Sequence, residues 1–134
     1  MIRLANFLFF TTRCEEALAF YSRCGLGRII ELKRYGADGV PVGDEAFRGK
    51  IAYARFAGPD IEFYASDNHD AEPMRGSAHY LTTDDREETD RIFGCLSEGG
   101  TVTTQLAVQP WGGYYGKLTD RFGVQWMIEC RSVG

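Results

Sequence analysis

The chain has 134 residues, of which 44% are hydrophobic, so it is long enough to bury one core without disulfides or metals. Its 15 basic and 19 acidic residues give a net charge of -4, and no cluster of Lys and Arg offers the positive surface that nucleic-acid binding requires. The apolar run Phe7 to Phe10 is far too short for a membrane span or a secretory signal. The sequence therefore predicts a cytoplasmic protein that binds neither nucleic acid nor membranes.

The four cysteines, Cys14, Cys24, Cys95 and Cys130, are widely spaced and contain no C-x-x-C pair. Neither a zinc site nor a redox dithiol is therefore predicted. If Cys14 and Cys24 share a helix, they lie ~15 Å apart, which is too far for a disulfide. We expect all four to be buried thiols of a reducing compartment.

The first half of the chain predicts a strand, a helix and three further strands. Residues 4–10 form an apolar run typical of a buried strand. Thr12 and Glu15 have the spacing of a capping box, which predicts a helix that ends near Cys24. A strand over 28–35 and a hairpin over 50–66 follow.

The second half predicts the same order of elements. It contains a strand over 77–83, a helix capped by Asp84 or Asp85, a strand over 101–108 and a final hairpin. A polar segment with Pro73 separates the halves. We therefore predict one domain made of two modules, 1–67 and 76–134, joined by the linker 68–75.

The helical segments of the two halves align at a constant spacing of 72 residues. Glu15 then matches Glu87, and Phe20 matches Ile92. Two βαβββ modules are implied. Because such crossovers are right-handed, we predict an α+β fold in which tandem βαβββ modules form a curved, eight-stranded mixed sheet, a trough with helices behind it.

Three motifs resemble a known group of proteins: E-x-A-x-x-F-Y over 15–21, L-x-x-G-G over 96–100 and T-D-x-F-G-x-x-W-M-I over 119–128. They resemble the vicinal-oxygen-chelate superfamily of glyoxalase and bleomycin-resistance proteins. The similarity is greatest to its PhnB-like branch, whose members also carry a 3-demethylubiquinone methyltransferase-like label. The resemblance covers nearly the whole chain and implies a homodimer. In metal-dependent members it also implies four metal ligands that point into the trough.

Strand alternation predicts which side chains face the trough. The bulky Trp126 and Ile128 are assigned to the helix side, which leaves Gln125, Met127 and Glu129 in the trough. Likewise, Phe63 is assigned to the helix side and its neighbours Glu62 and Tyr64 to the trough. On the first strand, Phe7 and Phe9 are assigned to the helix side, which leaves Asn6 and Phe10 in the trough.

The resemblance places the four ligand positions at Asn6, Glu62, Ala78 and Met127. Ala78 has no donor atom and the Met127 thioether does not suit hard divalent ions, so we predict no metal. His79 would reach the site only after a one-residue shift, which places a side chain on the opposite face of its strand. The repeat equates His79 with Phe7, so we expect His79 in the core.

No other cofactor is predicted. A Rossmann-type site needs a glycine-rich turn between a strand and the helix that follows it. Here Gly25, Gly27, Gly99 and Gly100 all follow helices. We therefore expect the methyltransferase label not to describe the chemistry of this chain.

The predicted small-molecule site consists of trough-facing aromatic and polar side chains. Its members are Asn6, Phe10, Tyr53, Arg55, Tyr64, Tyr80, Trp111 and Met127. The seventh strand is expected to add Leu118 and Asp120. Arg55 either pairs with Glu62 or Asp120, or binds an anionic ligand group. Trp111 precedes two glycines and is either a mobile lid or a loop anchor.

Three functions follow from these residues, and the sequence does not specify the ligand. The first, which we predict, is a metal-free small-molecule-binding homodimer that sequesters an aromatic or cationic compound. The second is an enzyme of the lyase, isomerase or dioxygenase type in which Glu62 is a general base with a pKa raised by burial, with or without a metal held through His79. The third is a protein that fills its own cavity and acts through its surface.

Overall fold

The computed structural model describes residues 1–131, and the chain divides into two compact units, Met1–Glu72 and Pro73–Gly134. The boundary between the units lies within the predicted linker 68–75. Each unit contains one four-stranded mixed sheet and one α-helix. No helix within residues 1–131 is long and apolar enough to cross a membrane.

The first unit consists of β1 (Asn6–Phe10), α1 (Cys14–Arg23), β2 (Arg28–Arg34), β3 (Ile51–Gly58) and β4 (Ile61–Asp67), with a short 3-10 helix at Glu45–Phe47. The strand order is β1-β4-β3-β2. β1 runs parallel to β4, and the other neighbouring strands are antiparallel.

The second unit repeats this plan with β5 (His79–Thr83), α2 (Arg86–Ser97), β6 (Thr101–Val108), β7 (Tyr114–Thr119) and β8 (Gln125–Cys130). The strand order is β5-β8-β7-β6, again with one parallel and two antiparallel pairs. The predicted α+β class and the tandem βαβββ modules are confirmed.

One face of the first sheet packs against α1. The Tyr21 ring on the helix lies edge-on to the Phe63 ring of β4, 6.2 Å away, and Phe63 stacks on Phe56 at 4.9 Å. These three side chains are buried, together with Leu8 and Phe10 of β1. The assignment of Phe63 to the helix side is therefore confirmed.

The predicted orientation of β1 is wrong. Leu8 and Phe10 are buried, whereas Phe7 and Phe9 are 41% and 46% exposed. Phe7 lies opposite Tyr64, on the sheet face away from α1. Three residues connect β1 to α1 but only two connect β5 to α2, so the helix spacing of 72 does not apply to these strands. One residue of difference exchanges the two faces of a strand.

The core of the second unit follows the predicted alternation of β8. Trp126 and Ile128 are almost fully buried, together with Phe93 of α2. Leu118 and Asp120 are also buried, and Leu118 lies opposite Trp126 on the core side of the sheet. Their predicted place on the other face is therefore wrong, because β7 pairs with β8 in a register that puts Leu118 beside a core residue.

The start of α1 is capped from a distant strand. One carboxylate oxygen of Asp67 accepts a hydrogen bond from the Cys14 amide and the other from the Ile51 amide, both at 3.0 Å. No side chain caps the helix at its N-cap residue, so the predicted capping box of Thr12 and Glu15 is wrong. In contrast, Asp85 caps α2 locally, as predicted, by accepting from the Glu87 amide.

Two of the four cysteines match their prediction. Cys14 and Cys130 are buried and lie outside any disulfide, and burial followed by the charge of Asp67 raises the pKa of the Cys14 thiol. The prediction of a free thiol is wrong for Cys24 and for Cys95. The cytoplasmic location accordingly stays a prediction.

The Asp67 cap has a measurable consequence for stability. We expect Asp67→Ala to lower the free energy of unfolding by about 3 kcal/mol, because two buried amides lose a charged acceptor. The measurement is urea unfolding followed by circular dichroism. Asp85→Ala, which removes an exposed cap, is the matched control and should cost about 1 kcal/mol. If Asp67→Ala lowered the free energy of unfolding by less than ~1 kcal/mol, the conclusion that Asp67 stabilises the contact between α1 and β3 would be contradicted.

Candidate functional site

The face of the first sheet away from α1 carries an aromatic layer, which we call the first aromatic face. It consists of Phe7, Phe9, Tyr53, Arg55, Glu62 and Tyr64. Strand pairing places Arg55 directly opposite Tyr64, and Phe7 opposite Tyr64 from the other side. The sheet therefore brings Tyr53, Arg55 and Tyr64 together, as predicted.

The rings of this face are in mutual contact. Phe7 and Tyr64 stack with centroids 6.0 Å apart and planes inclined by 13°. Phe9 lies 5.2 Å from Phe7, and Tyr53 lies 5.9 Å from Tyr64. Offset stacking of this kind leaves ring faces available to a further planar group.

Asn6 and Phe10 do not belong to this face. Both alternate with Phe7 and Phe9, and therefore lie on the α1 side of β1, where Phe10 is buried. Their predicted place on this face is therefore wrong. Phe7 and Phe9, which were predicted to face the helix, occupy this face instead.

Arg55 is the unusual group of the first aromatic face. Its Nε is buried and has no hydrogen-bond partner. Across residues 1–131, its guanidinium also makes no ion pair. A buried, unsatisfied charged donor is costly to keep in a folded protein.

The carboxylates considered as partners for Arg55 are bonded elsewhere. Glu62 accepts a hydrogen bond from the Tyr64 hydroxyl at 3.1 Å. Asp120, in the second unit, accepts one from the Trp126 indole at 2.9 Å. The neighbouring Glu31 interacts with Tyr53: burial, and then the charge of Glu31, raises the pKa of the Tyr53 hydroxyl. The internal pair is therefore absent within residues 1–131, and an anionic ligand for Arg55 stays a prediction.

Glu62 lies where the strand alternation predicts, beside Tyr64. Its side chain is exposed, however, so it lacks the burial that the general-base hypothesis requires. The Tyr64 hydroxyl nevertheless gives this carboxylate a proton donor at hydrogen-bond distance.

The second sheet has a corresponding layer, which we call the second aromatic face. It consists of Tyr80, Tyr115, Lys117, Met127 and Glu129, with Trp111 from the loop between β6 and β7. Pairing places Tyr80 opposite Met127, and Tyr115 opposite Glu129. Tyr80, Met127 and Trp111 were predicted for the site.

Glu129 organises the second aromatic face. Its carboxylate accepts hydrogen bonds from the Tyr80 hydroxyl at 2.5 Å and from the Trp111 indole at 2.9 Å. Both hydrogen bonds lower the pKa of Glu129, and the bond from Tyr80 has the larger effect. A Cβ on Gly113 would lie 2.3 Å from a Glu129 carboxylate oxygen and 2.7 Å from the Trp111 indole nitrogen, so a side chain at this position would displace this hydrogen-bonded pair.

Trp111 is anchored in this structure. Besides its bond to Glu129, its ring lies edge-on to Tyr115 at 5.4 Å. The loop itself is closed by the Gln109 amide, which donates to the Gly113 carbonyl at 2.8 Å. The loop-anchor interpretation therefore describes the observed contacts.

Glu129 and Tyr115 were not selected from the sequence. The alternation that places Trp126 in the core does predict Glu129 in the trough, but Glu129 was not included among the predicted ligand-binding residues. The position of Tyr115 could not have been found, because the register of β7 was predicted with Leu118 on the wrong side.

The residues at the metal positions implied by the superfamily do not fit a divalent ion. Asn6 lies on the α1 side, Ala78 has no donor and Met127 offers a thioether. His79 lies opposite Trp126, with ring centroids 4.8 Å apart, and burial lowers its pKa. Its predicted place on the core side is confirmed. Within residues 1–131, no group of three His, Cys, Asp or Glu side chains is arranged to hold a metal.

Removing the unsatisfied arginine should stabilise the fold. We expect Arg55→Met to raise the free energy of unfolding by about 1 kcal/mol, because a buried donor without a partner is replaced by an apolar side chain of similar length. Urea unfolding measures this change. Arg75→Met, at an exposed position, is the control and should stay within about 0.5 kcal/mol of the parent protein. Destabilisation by Arg55→Met would show that Arg55 has a structural role.

The bond between Trp111 and Glu129 should depend on pH. The folded pKa of Glu129 is below the ordinary value of 4.5. Its stabilising contribution is therefore present above pH 4.5 and is lost as the pH falls through the lower folded value. We expect the fluorescence of Trp111 to change in that acidic range.

The control for this titration is Glu129→Gln, which should remove the transition, while Trp111→Phe identifies the signal that belongs to Trp111 rather than Trp126. An unchanged acid transition in Glu129→Gln would mean that another group controls the indole.

The whole chain has relatives of similar length. It is similar to the protein PA1353 from Pseudomonas aeruginosa, with 32% identity and a TM-score of 0.87 over 98% of this chain and 99% of that one. Protein YjdN of Escherichia coli (strain K12) is 31% identical over 94% of this chain and 93% of its own. A putative 3-demethylubiquinone-9 3-methyltransferase, PhnB protein, from Bacillus cereus is 26% identical, with a TM-score of 0.80 over 96% and 99% of the two chains.

A broader likeness concerns the fold alone. A member of the glyoxalase/bleomycin resistance protein/dioxygenase superfamily from Sphaerobacter thermophilus is 18% identical, with a TM-score of 0.56 over 98% and 99% of the two chains. The family model described as 3-demethylubiquinone-9 3-methyltransferase matches residues 3–129. Together with the two βαβββ modules, these matches show that the chain belongs to the family described as 3-demethylubiquinone-9 3-methyltransferase, and that its fold is like that of the glyoxalase/bleomycin resistance protein/dioxygenase superfamily.

Proposed function

We propose that this protein binds a small molecule through its aromatic faces and does so without a catalytic metal. One observation carries the proposal: aromatic rings that could have been buried are exposed together on the sheet faces, around charged groups. Phe7 and Phe9 are about half exposed, as is Tyr80, and Trp111 is 63% exposed. Clustered aromatic side chains with a few fixed polar groups are typical of small-molecule sites.

The polar groups on these faces can orient a ligand. Arg55 offers an unpartnered guanidinium on the first aromatic face. On the second, Glu129 is held in place by Tyr80 and Trp111. The proposed ligand-binding residues are therefore Phe7, Tyr53, Arg55, Tyr64, Tyr80, Trp111, Met127 and Glu129.

We do not propose methyltransferase activity for this chain, although the matching family model carries that description. α1 ends at Arg23 and α2 ends at Ser97, so Gly25, Gly27, Gly99 and Gly100 all follow helices. A glycine-rich turn of the nucleotide-binding type would instead lead from a strand into a helix.

The proposal includes a cytoplasmic homodimer. β1 is an edge strand of its sheet, and the residues before it include the exposed apolar side chains of Met1, Ile2 and Leu4. Exposed strand edges and apolar segments are commonly covered in the assembled protein. Analytical ultracentrifugation of the full chain measures this state.

A second candidate function is an enzyme that acts through Glu62. The hydrogen bond from Tyr64 to Glu62 supports it, because a hydroxyl and a carboxylate in contact can exchange a proton with a bound substrate. The exposure of Glu62 argues against a strongly basic carboxylate. Glu62→Gln separates the candidates, because it should abolish turnover by an enzyme but leave the affinity of a binding protein nearly unchanged.

The metal-free proposal is tested first by elemental analysis of the purified, untagged protein after dialysis against Mn, Zn, Ni and Fe salts. We expect less than stoichiometric metal in every case, because the carried-over positions lack a donor set. Stoichiometric metal that is lost in Glu62→Ala or His79→Ala would contradict the proposal.

Ligand binding is then tested by a thermal-shift screen of aromatic compounds. We expect ligands that raise Tm by at least ~2 °C at saturating concentration. The effect should be lost in Phe7→Leu and kept in Phe122→Leu, which changes a phenylalanine in the turn between β7 and β8. Equal effects of the two substitutions would remove the aromatic face as the site.

A further inference from the structure

We propose that the first aromatic face binds a planar anion, in which a flat ring stacks on Phe7 and Tyr64 and a carboxylate attached to that ring binds Arg55. The inference rests on the proposed small-molecule function and specifies its ligand class. It follows from three features of the first unit: the free guanidinium, the occupied carboxylates and the arrangement of the rings.

The guanidinium sets the charge of the ligand. Arg55 has a buried Nε without a hydrogen-bond partner, and no ion pair within residues 1–131 involves it. Other arginines of the same unit are paired: Arg34 with Glu15 at 2.6 Å, and Arg48 with Glu45 at 2.7 Å. A guanidinium presents a fork of donors that matches the two oxygens of a carboxylate.

The carboxylates near Arg55 do not replace such a ligand. Glu31 lies directly opposite Arg55 on β2, yet its interaction is with the Tyr53 hydroxyl. Glu62 accepts from the Tyr64 hydroxyl. Neither Glu31 nor Glu62 makes an ion pair with Arg55 within residues 1–131, so the guanidinium stays available.

The rings set the shape of the ligand. Tyr64 lies on β4 between Phe7 of β1 and Arg55 of β3, and both are its direct partners across the sheet. Neighbouring strands are about 4.8 Å apart, so Phe7 and Arg55 are separated by roughly 10 Å. A fused or substituted aromatic ring with a terminal carboxylate spans this distance. The 13° inclination of Phe7 to Tyr64 favours a flat ligand over a puckered one.

A cation is disfavoured on this face. Arg55 is at its centre, and Lys33 lies opposite Tyr53 at the neighbouring strand. A positively charged ligand would be repelled by both cations, and the Glu62 carboxylate already accepts a hydrogen bond from Tyr64. The charge of the ligand is therefore the most informative variable to test.

The test uses four matched probes in isothermal titration calorimetry with the full chain. The first three, 2-naphthoate, 2-naphthalenemethanol and 2-naphthylmethylammonium, share a flat ring and differ in charge. The fourth, cyclohexanecarboxylate, keeps the carboxylate on a puckered ring. Each is titrated into the parent protein, Arg55→Gln, Arg55→Lys and the control Arg75→Gln, which has the same change of charge at an exposed position.

We expect 2-naphthoate to bind at least about tenfold more tightly than the other three probes, because only it satisfies both the rings and the guanidinium. Arg55→Gln should remove this preference, with 2-naphthoate weakened at least about tenfold and 2-naphthalenemethanol changed less than about twofold. Arg55→Lys should retain part of the preference, since it keeps the charge but loses the fork of donors. Arg75→Gln should behave as the parent protein.

Two results would overturn the inference while leaving the proposed function intact. One is binding of the neutral or cationic naphthalene as tight as that of 2-naphthoate. The other is a preference for the anion that survives Arg55→Gln. Failure of all three naphthalene probes to bind would overturn both the inference and the aromatic face as a ligand site.

Discussion

Within each unit, as described over residues 1–131, the four-stranded sheet packs one face against the α-helix of that unit, and this constraint organises the rest of the unit. A sheet buries its apolar side chains on the face that a helix covers, and alternation sends every second side chain to the other face. In the first unit, α1 covers Leu8, Phe10 and Phe63. The opposite face could have been polar throughout. Instead it carries Phe7, Phe9 and two tyrosines, which do nothing for the core. The proposed ligand, which would contact these rings on the face away from the core, explains why they lie there.

The free-energy cost of burying the Arg55 Nε without a partner also agrees with a ligand site on this face. A protein gains nothing in stability from a buried guanidinium nitrogen without a partner, and a methionine or leucine would fill the position more favourably. Groups that are unfavourable for folding are expected at sites that are shaped for a ligand. Glu62 accepts a hydrogen bond from Tyr64, and neither nearby carboxylate forms an ion pair with Arg55 within residues 1–131, which leaves the positive charge without a partner. The first aromatic face is thus prepared for an anion before any anion binds.

The sequence predicted the modules well, because helix periodicity and glycine positions carry over between the halves without ambiguity. Ala17 and Thr89, and Phe20 and Ile92, are buried at the same spacing of 72 residues. Strand faces were harder. The connection from β1 to α1 is one residue longer than that from β5 to α2, so carrying the helix alignment back to the first strand exchanged Phe7 with Leu8. No feature of a five-residue apolar run distinguishes its two faces.

Long-range contacts could not be predicted at all. The cap of α1 comes from Asp67, which is 53 residues away from Cys14, and a local capping box at Thr12 was the natural alternative. The partner of Arg55 was equally undetermined, since Glu62 and Asp120 are both plausible by strand alternation alone. Only the side-chain contacts show that the first accepts from Tyr64 and the second from Trp126. The availability of Arg55 is therefore a finding of the structure.

The most direct test of the account is nuclear magnetic resonance of the arginine side chains, in which the Nε proton signal of Arg55 is identified by its absence in Arg55→Lys. The account predicts that this signal moves saturably as 2-naphthoate is added, because the unpartnered nitrogen and its guanidinium acquire an acceptor. The Arg75 signal should stay in place. An Arg55 signal that is unmoved while the ligand shifts resonances elsewhere in the protein would contradict the central claim.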